Sequence, residues 1–402
     1  FVSYNRDIMY PMRKAEPLGY LWYWMRSSIG LLGVILFAAA CSSHSSRPAS
    51  LATATQSLAV PASATANATL TLTPAPTAMA TLPVPSLTPT LPDTPTATTT
   101  APPPPLEYFS SPLLRPGVLP ATYLDDTCEY LRLRWEAGKA EPGSVVVPVM
   151  FHSIVQPPSK VTDPKDITVE QFQAFVGYAA SLGFETITTQ ELLDFLLYND
   201  HIPPRSMILI VDDRRPGLIY EHFLPVLEQH DWTVTAAYIA DPDSMEWAWD
   251  WMERLKQTGR LDVQSHGYTG QLYVLPETPI EQIQLEIWES SPVIENHFGT
   301  RPIAFIWPGG NFTPQSVQVA RQGGYQLGFT VYSRGPLLFN WIPLGEEERL
   351  VNDPLMLLPR AWSNSVNFNL DEAVRVSQQA ADFAKYNYAA EAAWLDQYCQ
   401  GN

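Results

Sequence analysis

The stretch ILIVDDRRPG, residues 208–217, places four apolar residues directly before two adjacent carboxylates and two arginines. A short apolar run of this kind predicts a strand that is buried on both faces. Two like charges at its end have two interpretations. One carboxylate holds a metal while the other accepts a proton, or Arg214 and Arg215 neutralise Asp212 and Asp213 in a structural salt-bridge cluster.

The chain beyond residue 143 alternates short apolar strands with amphipathic helices. Pairs such as Thr168 with Gln171 and Thr188 with Glu191 predict capped helix starts, and Asn369 with Glu372 predicts the start of the last helix. The predicted strands are SVVVPVMFHS (144–153), FETI (184–187), MILIV (207–211), VTAAYIA (234–240), LDVQS (261–265), IAFIW (303–307), LGFTV (327–331) and LMLL (355–358). Continuous apolar strands with helical crossovers indicate an α/β fold with a parallel sheet. We predict a closed or distorted (β/α) barrel, with an open doubly wound sheet as the alternative.

Unusual polar residues stand where five of these strands end. The carboxyl ends of parallel strands meet on one face of an α/β fold, and that face carries the reactive groups. We therefore expect one functional site built from His152, Asp212 with Asp213, Ser265 with His266, residues 307–311, and Pro359 with Arg360.

The amino-terminal third does not have the composition of a folded domain. Many of the 38 prolines crowd with Ser, Thr and Ala into residues 42–105, which predicts an extended, disordered tether. Before it, MRSSIGLLGVILFAAAC (25–41) is typical of a signal peptide and ends at Cys41, the expected lipidation site. An ordinary secretory signal is the alternative, and we interpret residues 1–24 as upstream read-through. The expected location is the bacterial cell envelope, lipid-anchored or secreted, with the anchor as the chain's only membrane contact.

The remaining chain is large enough for one packed domain. We predict an amino-terminal extension (106–143), the domain proper (144–370) and a carboxy-terminal helix packed on it (371–402). Cys128 and Cys399 are predicted to form a disulfide because an exported protein meets an oxidising setting; two buried free thiols are the alternative. The net charge is −17 and no basic block occurs in this part, so a nucleic-acid partner is not expected. A monomer is expected.

The order and spacing of these segments resemble the polysaccharide deacetylases, whose domain is called the NodB homology domain or carbohydrate esterase family 4. The resemblance covers about residues 152–360 and includes VPVMFHSI, PPRSMILIVDD, LPVLEQHDWTVTAAYIA, LDVQSHGYTG, FIWPGG and LLPR. It implies a distorted parallel (β/α) barrel that binds a divalent metal, usually zinc. It also implies hydrolysis of acetyl groups on an N-acetylated polysaccharide or peptidoglycan-type glycan.

The resemblance also implies roles for particular residues. Asp212 corresponds to the catalytic base, and Asp213 and His266 correspond to metal ligands. Arg360 corresponds to an arginine that contacts the base, and a surface salt bridge is the alternative for it. The turn that lines the substrate groove corresponds to Trp307, Pro308, Gly309 and Gly310, and it alternatively serves only as a tight strand-to-helix passage. Arg215 and His152 are expected to contribute to substrate binding.

Three positions depart from the family pattern. Gly270 stands where the second metal-binding histidine is found, Arg214 replaces a glycine, and no histidine occurs in LMLLPRAWSNS. His152, and less favourably His297, are candidates for a replacement ligand; a hydrogen-bonded structural histidine is the alternative for each. Arg214 and Arg215 are compatible with oxyanion stabilisation, with binding of an anionic sugar, or with neutralisation of the aspartates.

Three tryptophans, Trp247, Trp249 and Trp251, alternate along a predicted helix over residues 244–257. Helical geometry spreads this spacing over different faces. A sugar-stacking platform and packing in the core or against another domain are both open, and packing is favoured.

These observations support a first hypothesis of an exported, lipid-anchored deacetylase-like hydrolase that uses metal-activated water. The alternative is a degenerate deacetylase fold that acts as a carbohydrate-binding module. A glycoside hydrolase ranks last, because two carboxylates facing each other across a groove are needed and strand-end acids are scarce apart from the adjacent pair.

Overall fold

A curled parallel β-sheet forms the centre of the computed structural model, which describes residues 106–241, 246–270 and 273–399. Its strands are β1 (Val145–Phe151), β2 (Glu185–Thr186), β3 (Arg205–Asp212), β4 (Val234–Tyr238), β5 (Leu261–Ser265), β6 (Ala304–Ile306), β7 (Leu327–Phe329) and β8 (Ala361–Trp362). The order across the sheet is β7-β6-β5-β4-β3-β1-β8, with β2 paired beside β3, and every one of these pairs is parallel.

The two edges of this sheet are joined by one short segment. Leu358 forms a parallel bridge with Phe329 of β7, and three residues later Ala361 pairs with Val149 of β1. The approach of this segment requires a glycine in β7, because a side chain at Gly328 would collide with the carbonyl of Met356. The sheet is therefore a distorted barrel, which confirms the predicted fold class over the open doubly wound alternative.

The strands are buried on both faces, as their continuous apolar sequences predict. All seven residues of β1 are buried, and seven of the eight in β3. Alternate residues belong to two hydrophobic clusters: Val147 and Leu209 lie in one, and Val146 and Ile208 in the other. This two-sided burial is the reason that neither strand shows the alternating polar pattern of a half-exposed sheet.

Helices connect the strands and cover the outside of the sheet. They are α1 (Thr127–Trp135), α2 (Val169–Ser181), α3 (Thr189–Tyr198), α4 (Pro216–Leu218), α5 (Leu224–His230), α6 (Glu246–Lys256), α7 (Ile280–Trp288), α8 (Ser290–Phe298), α9 (Pro314–Gln322), α10 (Glu346–Leu350) and α11 (Val366–Tyr398). A π-helical turn, Ile219–Phe223, joins α4 to α5. The predicted capping boxes at Thr168 and Thr188 are present, and Thr313 caps α9.

Three local predictions near the carboxy terminus were wrong. The segment LMLL is not a strand: Pro354–Met356 form a 3-10 turn, and the last strand is Ala361–Trp362, so Arg360 precedes that strand instead of ending it. The apolar run reflects burial in the barrel interior, which looks the same in sequence as a buried strand. The last helix begins at Val366, and Asn369 donates to the carbonyl of Ser365 instead of capping.

The two ends of the described domain are tied together. Cys128 in α1 and Cys399 directly after α11 form the predicted disulfide across a sequence separation of 271 residues. The amino-terminal extension also contributes Leu119–Ala121, which pairs antiparallel with Ile342–Leu344. The predicted signal segment, tether and Cys41 lie outside the described residues. Within those residues, no helix is both long and apolar enough to cross a membrane.

Replacing both cysteines in a Cys128→Ser/Cys399→Ser variant is expected to lower the free energy of unfolding by about 2–5 kcal/mol, because the unfolded chain regains freedom when the long loop opens. Urea unfolding of the variant and of oxidised wild-type protein measures this difference. Reduced wild-type protein is the control and is expected to unfold like the variant. Equal midpoints for all three samples would contradict the prediction.

Candidate active site

Acidic and imidazole side chains from different strands converge at one mouth of the barrel. His152 follows β1, Asp212 ends β3, and His266 follows β5, so all three stand at carboxyl ends of parallel strands. His152 Nε2 lies 3.6 Å from Asp212 Oδ2, and His266 Nε2 lies 3.9 Å from Asp213 Oδ1. The structure therefore brings together the predicted base, both predicted metal ligands and one predicted substrate-binding residue.

Asp212 is held by a fully buried arginine. Arg360 Nη1 donates to Asp212 Oδ1 at 2.6 Å, and Arg360 Nε donates to the carbonyl of Thr330 at 2.7 Å. Burial by itself raises the pKa of Asp212, but the guanidinium of Arg360 and the two nearby imidazoles outweigh it, so the pKa lies below its ordinary value. Asp212 is therefore ionised at neutral pH and fixed in orientation.

Asp213 has a different environment although it is the next residue. Its backbone is left-handed, with φ of 69°, and its side chain is about one-third exposed, so the two adjacent carboxylates have different surroundings within the same mouth. Arg215 donates to Asp213 Oδ2 through Nη2 at 3.0 Å and Nε at 3.3 Å, and its Nη1 donates to Ser153 Oγ at 2.9 Å. Arg215 thus connects the loop after β3 to the loop after β1.

The two arginines of the DDRR sequence do not form the salt-bridge cluster that was the structural alternative. Arg214 turns away from the acid pair and bonds Asp241 Oδ2 at 3.2 Å, in the loop after β4. Asp212 is neutralised by the distant Arg360 and only Asp213 by a neighbouring arginine. Each carboxylate therefore has its own arginine.

His266 is oriented for ligation. Its Nδ1 lies 2.8 Å from the carbonyl oxygen of Ile306, and because a carbonyl only accepts, Nδ1 carries the proton. In the neutral ring the lone pair is then on Nε2, which faces Asp213 Oδ1. A backbone partner of this kind fixes the tautomer and ring direction in metal-ligating histidines.

The loop that follows His266 has no room for a second histidine at the family position. Gly270 has φ of 66°, and a Cβ there would lie 2.5 Å from Ile239 Cδ1. Glu286 of α7 holds the loop instead, because its Oε2 accepts the N–H groups of Tyr268 and Thr269 at 2.9 Å each. Sequence analysis missed Glu286; the available signal was a carboxylate on the apolar face of a helix, between Ile283 and Ile287.

The donor set fits a divalent metal through two protein ligands, Asp213 Oδ1 and His266 Nε2. Within the described ranges, no group of three or more His, Cys, Asp or Glu side chains is arranged to hold a metal ion. His297 bonds Glu253 Oε1 at 2.9 Å and stacks on Trp249, so it is not a replacement ligand. Catalytic zinc sites normally keep three protein ligands, and a two-ligand site is expected to bind metal more weakly.

His152 lies on the Asp212 side of the site. Its ring stacks on Trp362 with an interplanar angle of 13°, and Nε2 faces Asp212. Burial, together with Arg360, lowers the pKa of His152 although Asp212 acts in the opposite direction. A neutral His152 beside the base is therefore the state at neutral pH, and its predicted contact with substrate stays a prediction.

The predicted substrate turn is built mostly from buried groups. Trp307 is fully buried and donates from Nε1 to the carbonyl of Met356 at 2.8 Å, so its indole packs in the barrel interior. Pro308 and Gly310 are buried as well, and Gly309 is exposed beside the ring of Tyr273. Substrate contact by this turn stays a prediction, with Gly309 as the exposed part of the turn.

Comparison with known proteins identifies similar chains. Residues 200–328 match the family model described as polysaccharide deacetylase. The chain is 25% identical to the Bacillus subtilis (strain 168) protein named "Putative polysaccharide deacetylase YxkH", over 51% of this chain and 69% of that protein.

Two solved structures are also similar. The Streptococcus pyogenes deacetylase PplD in complex with acetate has 18% identity and a TM-score of 0.47, covering 58% of this chain and 99% of that one. IcaB from Ammonifex degensii has 20% identity and a TM-score of 0.45, covering 60% and 98%.

Replacing Arg360 by alanine is expected to destabilise the protein by about 3–5 kcal/mol, because it leaves the Asp212 carboxylate buried without its cation. Chemical unfolding at neutral pH measures the loss. Arg301→Ala is the control, since Arg301 forms an exposed pair with Glu295 and a hydrogen bond to the carbonyl of Gly323, and a loss of no more than about 1 kcal/mol is expected.

The same ion pair predicts a pH dependence. Because the folded-state pKa of Asp212 is lowered, its contribution to stability is present above its ordinary pKa of 3.8 and is lost as the pH falls through the folded value. An Arg360→Ala variant as stable as wild type at neutral pH would contradict the role of the pair.

Proposed function

We propose that this chain, a divergent member of the polysaccharide deacetylase family, hydrolyses acetyl groups from an N-acetylated glycan at the barrel mouth. The observation that carries the proposal is the convergence of Asp212, Asp213 and His266 with distinct environments. One carboxylate is buried and ionised, the other is partly exposed, and the imidazole presents its lone pair to the exposed one. The reaction breaks the amide C–N bond, adds water, and yields acetate and a free amine on the sugar.

Asp212 is the proposed base. Its position is held by Arg360, and its lowered pKa keeps it ionised and ready to accept a proton from water. The same lowered pKa makes Asp212 a weak base, so efficient proton transfer requires that the pKa of the water is lowered as well. Asp213 and His266 would hold a divalent cation, which is zinc in the family pattern. Such a cation would lower the pKa of the water and polarise the acetamide carbonyl.

Arg215 is proposed to bind the substrate. Its side chain is about one-third exposed and lies between Asp213 and Ser153, so it presents positive charge at the open side of the mouth. A guanidinium there stabilises negative charge that develops on the carbonyl oxygen.

A second candidate is glycan binding without hydrolysis. Two observations favour it: Arg215 makes a two-point contact with the carboxylate that would ligate the metal, and Gly270 replaces a histidine in a loop held by Glu286. A site of this kind keeps polar groups that can bind a glycan, but it binds a metal more weakly than a three-ligand site and therefore supports hydrolysis less well.

We also propose that the protein is exported and lipid-anchored through Cys41 at a bacterial cell envelope, and that it acts as a monomer. The signal-like segment 25–41 supports export, and the Cys128–Cys399 disulfide is consistent with an oxidising compartment.

Acetate release tests the proposed function. Wild-type protein supplied with zinc, cobalt or manganese is expected to release acetate from N-acetylglucosamine oligomers or peptidoglycan. His266→Ala and Asp212→Asn are expected to lower the rate roughly 10²- to 10⁴-fold, since each removes a group that acts on the reacting water.

His297→Gln is the matched histidine control, because that ring stacks on Trp249 outside the site. Its rate is expected to equal the wild-type rate. Glycan binding by wild-type protein without acetate release under any of these metals would support the second candidate and contradict hydrolysis.

Arg215 is expected to weaken metal binding at Asp213. Arg215→Ala is predicted to raise the affinity for zinc about fivefold, because a partly exposed ion pair worth about 1 kcal/mol no longer competes for the carboxylate. Calorimetric titration of metal-stripped protein measures the affinity directly, independent of activity.

Arg214→Ala is the control, since Arg214 pairs with Asp241 and leaves Asp213 untouched. Equal zinc affinities for wild type and the Arg215 variant would show that the guanidinium does not compete.

A further inference from the structure

Three exposed aromatic side chains form a cluster on the surface. Tyr220, Trp247 and Trp251 are 54%, 53% and 39% exposed, and the rings of Tyr220 and Trp251 lie 5.6 Å apart. Trp247 and Trp251 are one helical turn apart and meet edge to face at 6.4 Å. We refer to these three residues as the aromatic platform. Contiguous exposed apolar groups of this kind mark binding surfaces.

The three tryptophans of α6 differ in burial and packing. Trp249 is buried, packs on Tyr238 at 4.9 Å and stacks on His297 at 3.9 Å, so it anchors α6 to the sheet. Trp247 and Trp251 lie on the opposite, solvent-facing side. The core-packing interpretation therefore holds for one tryptophan and does not account for the other two.

Chain direction places the aromatic platform at the same end of the barrel as the acids. Tyr220 lies in the helical segment that begins four residues after Asp212, and Trp247 lies in the first turn of α6, which follows the loop after β4. Helices that follow parallel strands begin at the carboxyl ends of those strands, where the site lies. The Arg214–Asp241 ion pair connects the two loops that lead into these helices.

The charges around the platform indicate which partner it accepts. The exposed charged side chains on or beside the platform's own helical turns are Glu221, Glu246, Asp250 and Arg254, three acids against one base. This balance disfavours an anionic lipid surface or an anionic polymer. It is compatible with an uncharged sugar chain, whose pyranose rings present apolar C–H faces to aromatic rings.

We propose that the aromatic platform is an accessory subsite that stacks sugar rings of a neutral N-acetylated glycan several residues away from the acetyl group at the mouth. The inference rests on the proposed glycan substrate but does not require hydrolysis. It assigns Tyr220, Trp247 and Trp251 to chain-length recognition, with Trp251 as the central contact because it touches both other rings.

Binding of oligomers of two lengths tests this assignment. Calorimetry with the N-acetylglucosamine dimer and hexamer is expected to show tighter hexamer binding by wild-type protein. Trp251→Ala and Trp247→Ala/Trp251→Ala are expected to weaken hexamer binding roughly three- to tenfold, the range for a lost aromatic contact, and to leave dimer binding unchanged. Tyr386→Ala is the control, because Tyr386 is 88% exposed on α11, and no change is expected.

Other outcomes separate this inference from the catalytic proposal. Trp251-dependent hexamer binding without acetate release supports the platform and contradicts hydrolysis. Acetate release with equal hexamer affinity in wild type and the double variant overturns the platform, as does a wild type that binds dimer and hexamer equally or binds neither. Sedimentation with phosphatidylcholine vesicles completes the set: vesicle binding lost in the double variant, with hexamer affinity retained, would assign the surface to membrane and overturn the inference.

Discussion

The buried ion pair between Asp212 and Arg360 is the constraint on which the mouth of the barrel depends. Arg360 is fully buried, and a guanidinium in that position requires a carboxylate and further acceptors. Asp212 at the end of β3 supplies the charge, and the carbonyl of Thr330, directly after β7, accepts from Nε. The pair therefore joins a central strand to the segment that closes the barrel, and it fixes the orientation of the proposed base.

The charges of the mouth are divided among separate pairs. Asp212 has Arg360, Asp213 has Arg215, and Arg214 has Asp241. This division gives each of the two adjacent carboxylates its own cation, so neither depends on the arginine of the other. Asp213 also lies between two groups. Its Oδ1 faces His266, the proposed second metal ligand, whereas its Oδ2 accepts from Arg215, which competes with a metal for the carboxylate.

The loop after His266 is held by contacts that leave no space for a side chain at Gly270. Glu286 accepts three backbone N–H groups from residues 268–270, and Ile239 fills the space that a side chain at Gly270 would need. A carboxylate from α7 thus holds a loop where a metal-ligating histidine is expected. The proposed metal site consequently has two protein ligands, so metal affinity is the property on which the choice between hydrolase and binding module depends.

Much of the fold was predictable from local signals. The strands predicted at 207–211 and 234–240 are present as Arg205–Asp212 and Val234–Tyr238, and the capping boxes at Thr168 and Thr188 were correct, because these features depend on neighbours within a few residues. The segment LMLL was misread because burial in the barrel interior produces the same apolar run as a strand. The spacing of the three tryptophans could not predict which of them is buried. Only the packing against Tyr238 and His297 distinguishes Trp249 from Trp247 and Trp251.

By itself the sequence determined that the strands are parallel and which polar residues stand at the carboxyl ends of β1, β3 and β5, because continuous apolar strands and the helices between them are visible in short stretches of sequence. The order of the strands across the sheet came from the structure. Only the tertiary structure decided which arginine neutralises which aspartate. Arg360 reaches Asp212 across 148 positions of sequence, and the left-handed backbone at Asp213 turns the second carboxylate toward His266. Such pairings depend on distances between elements, and no short stretch of residues contains them.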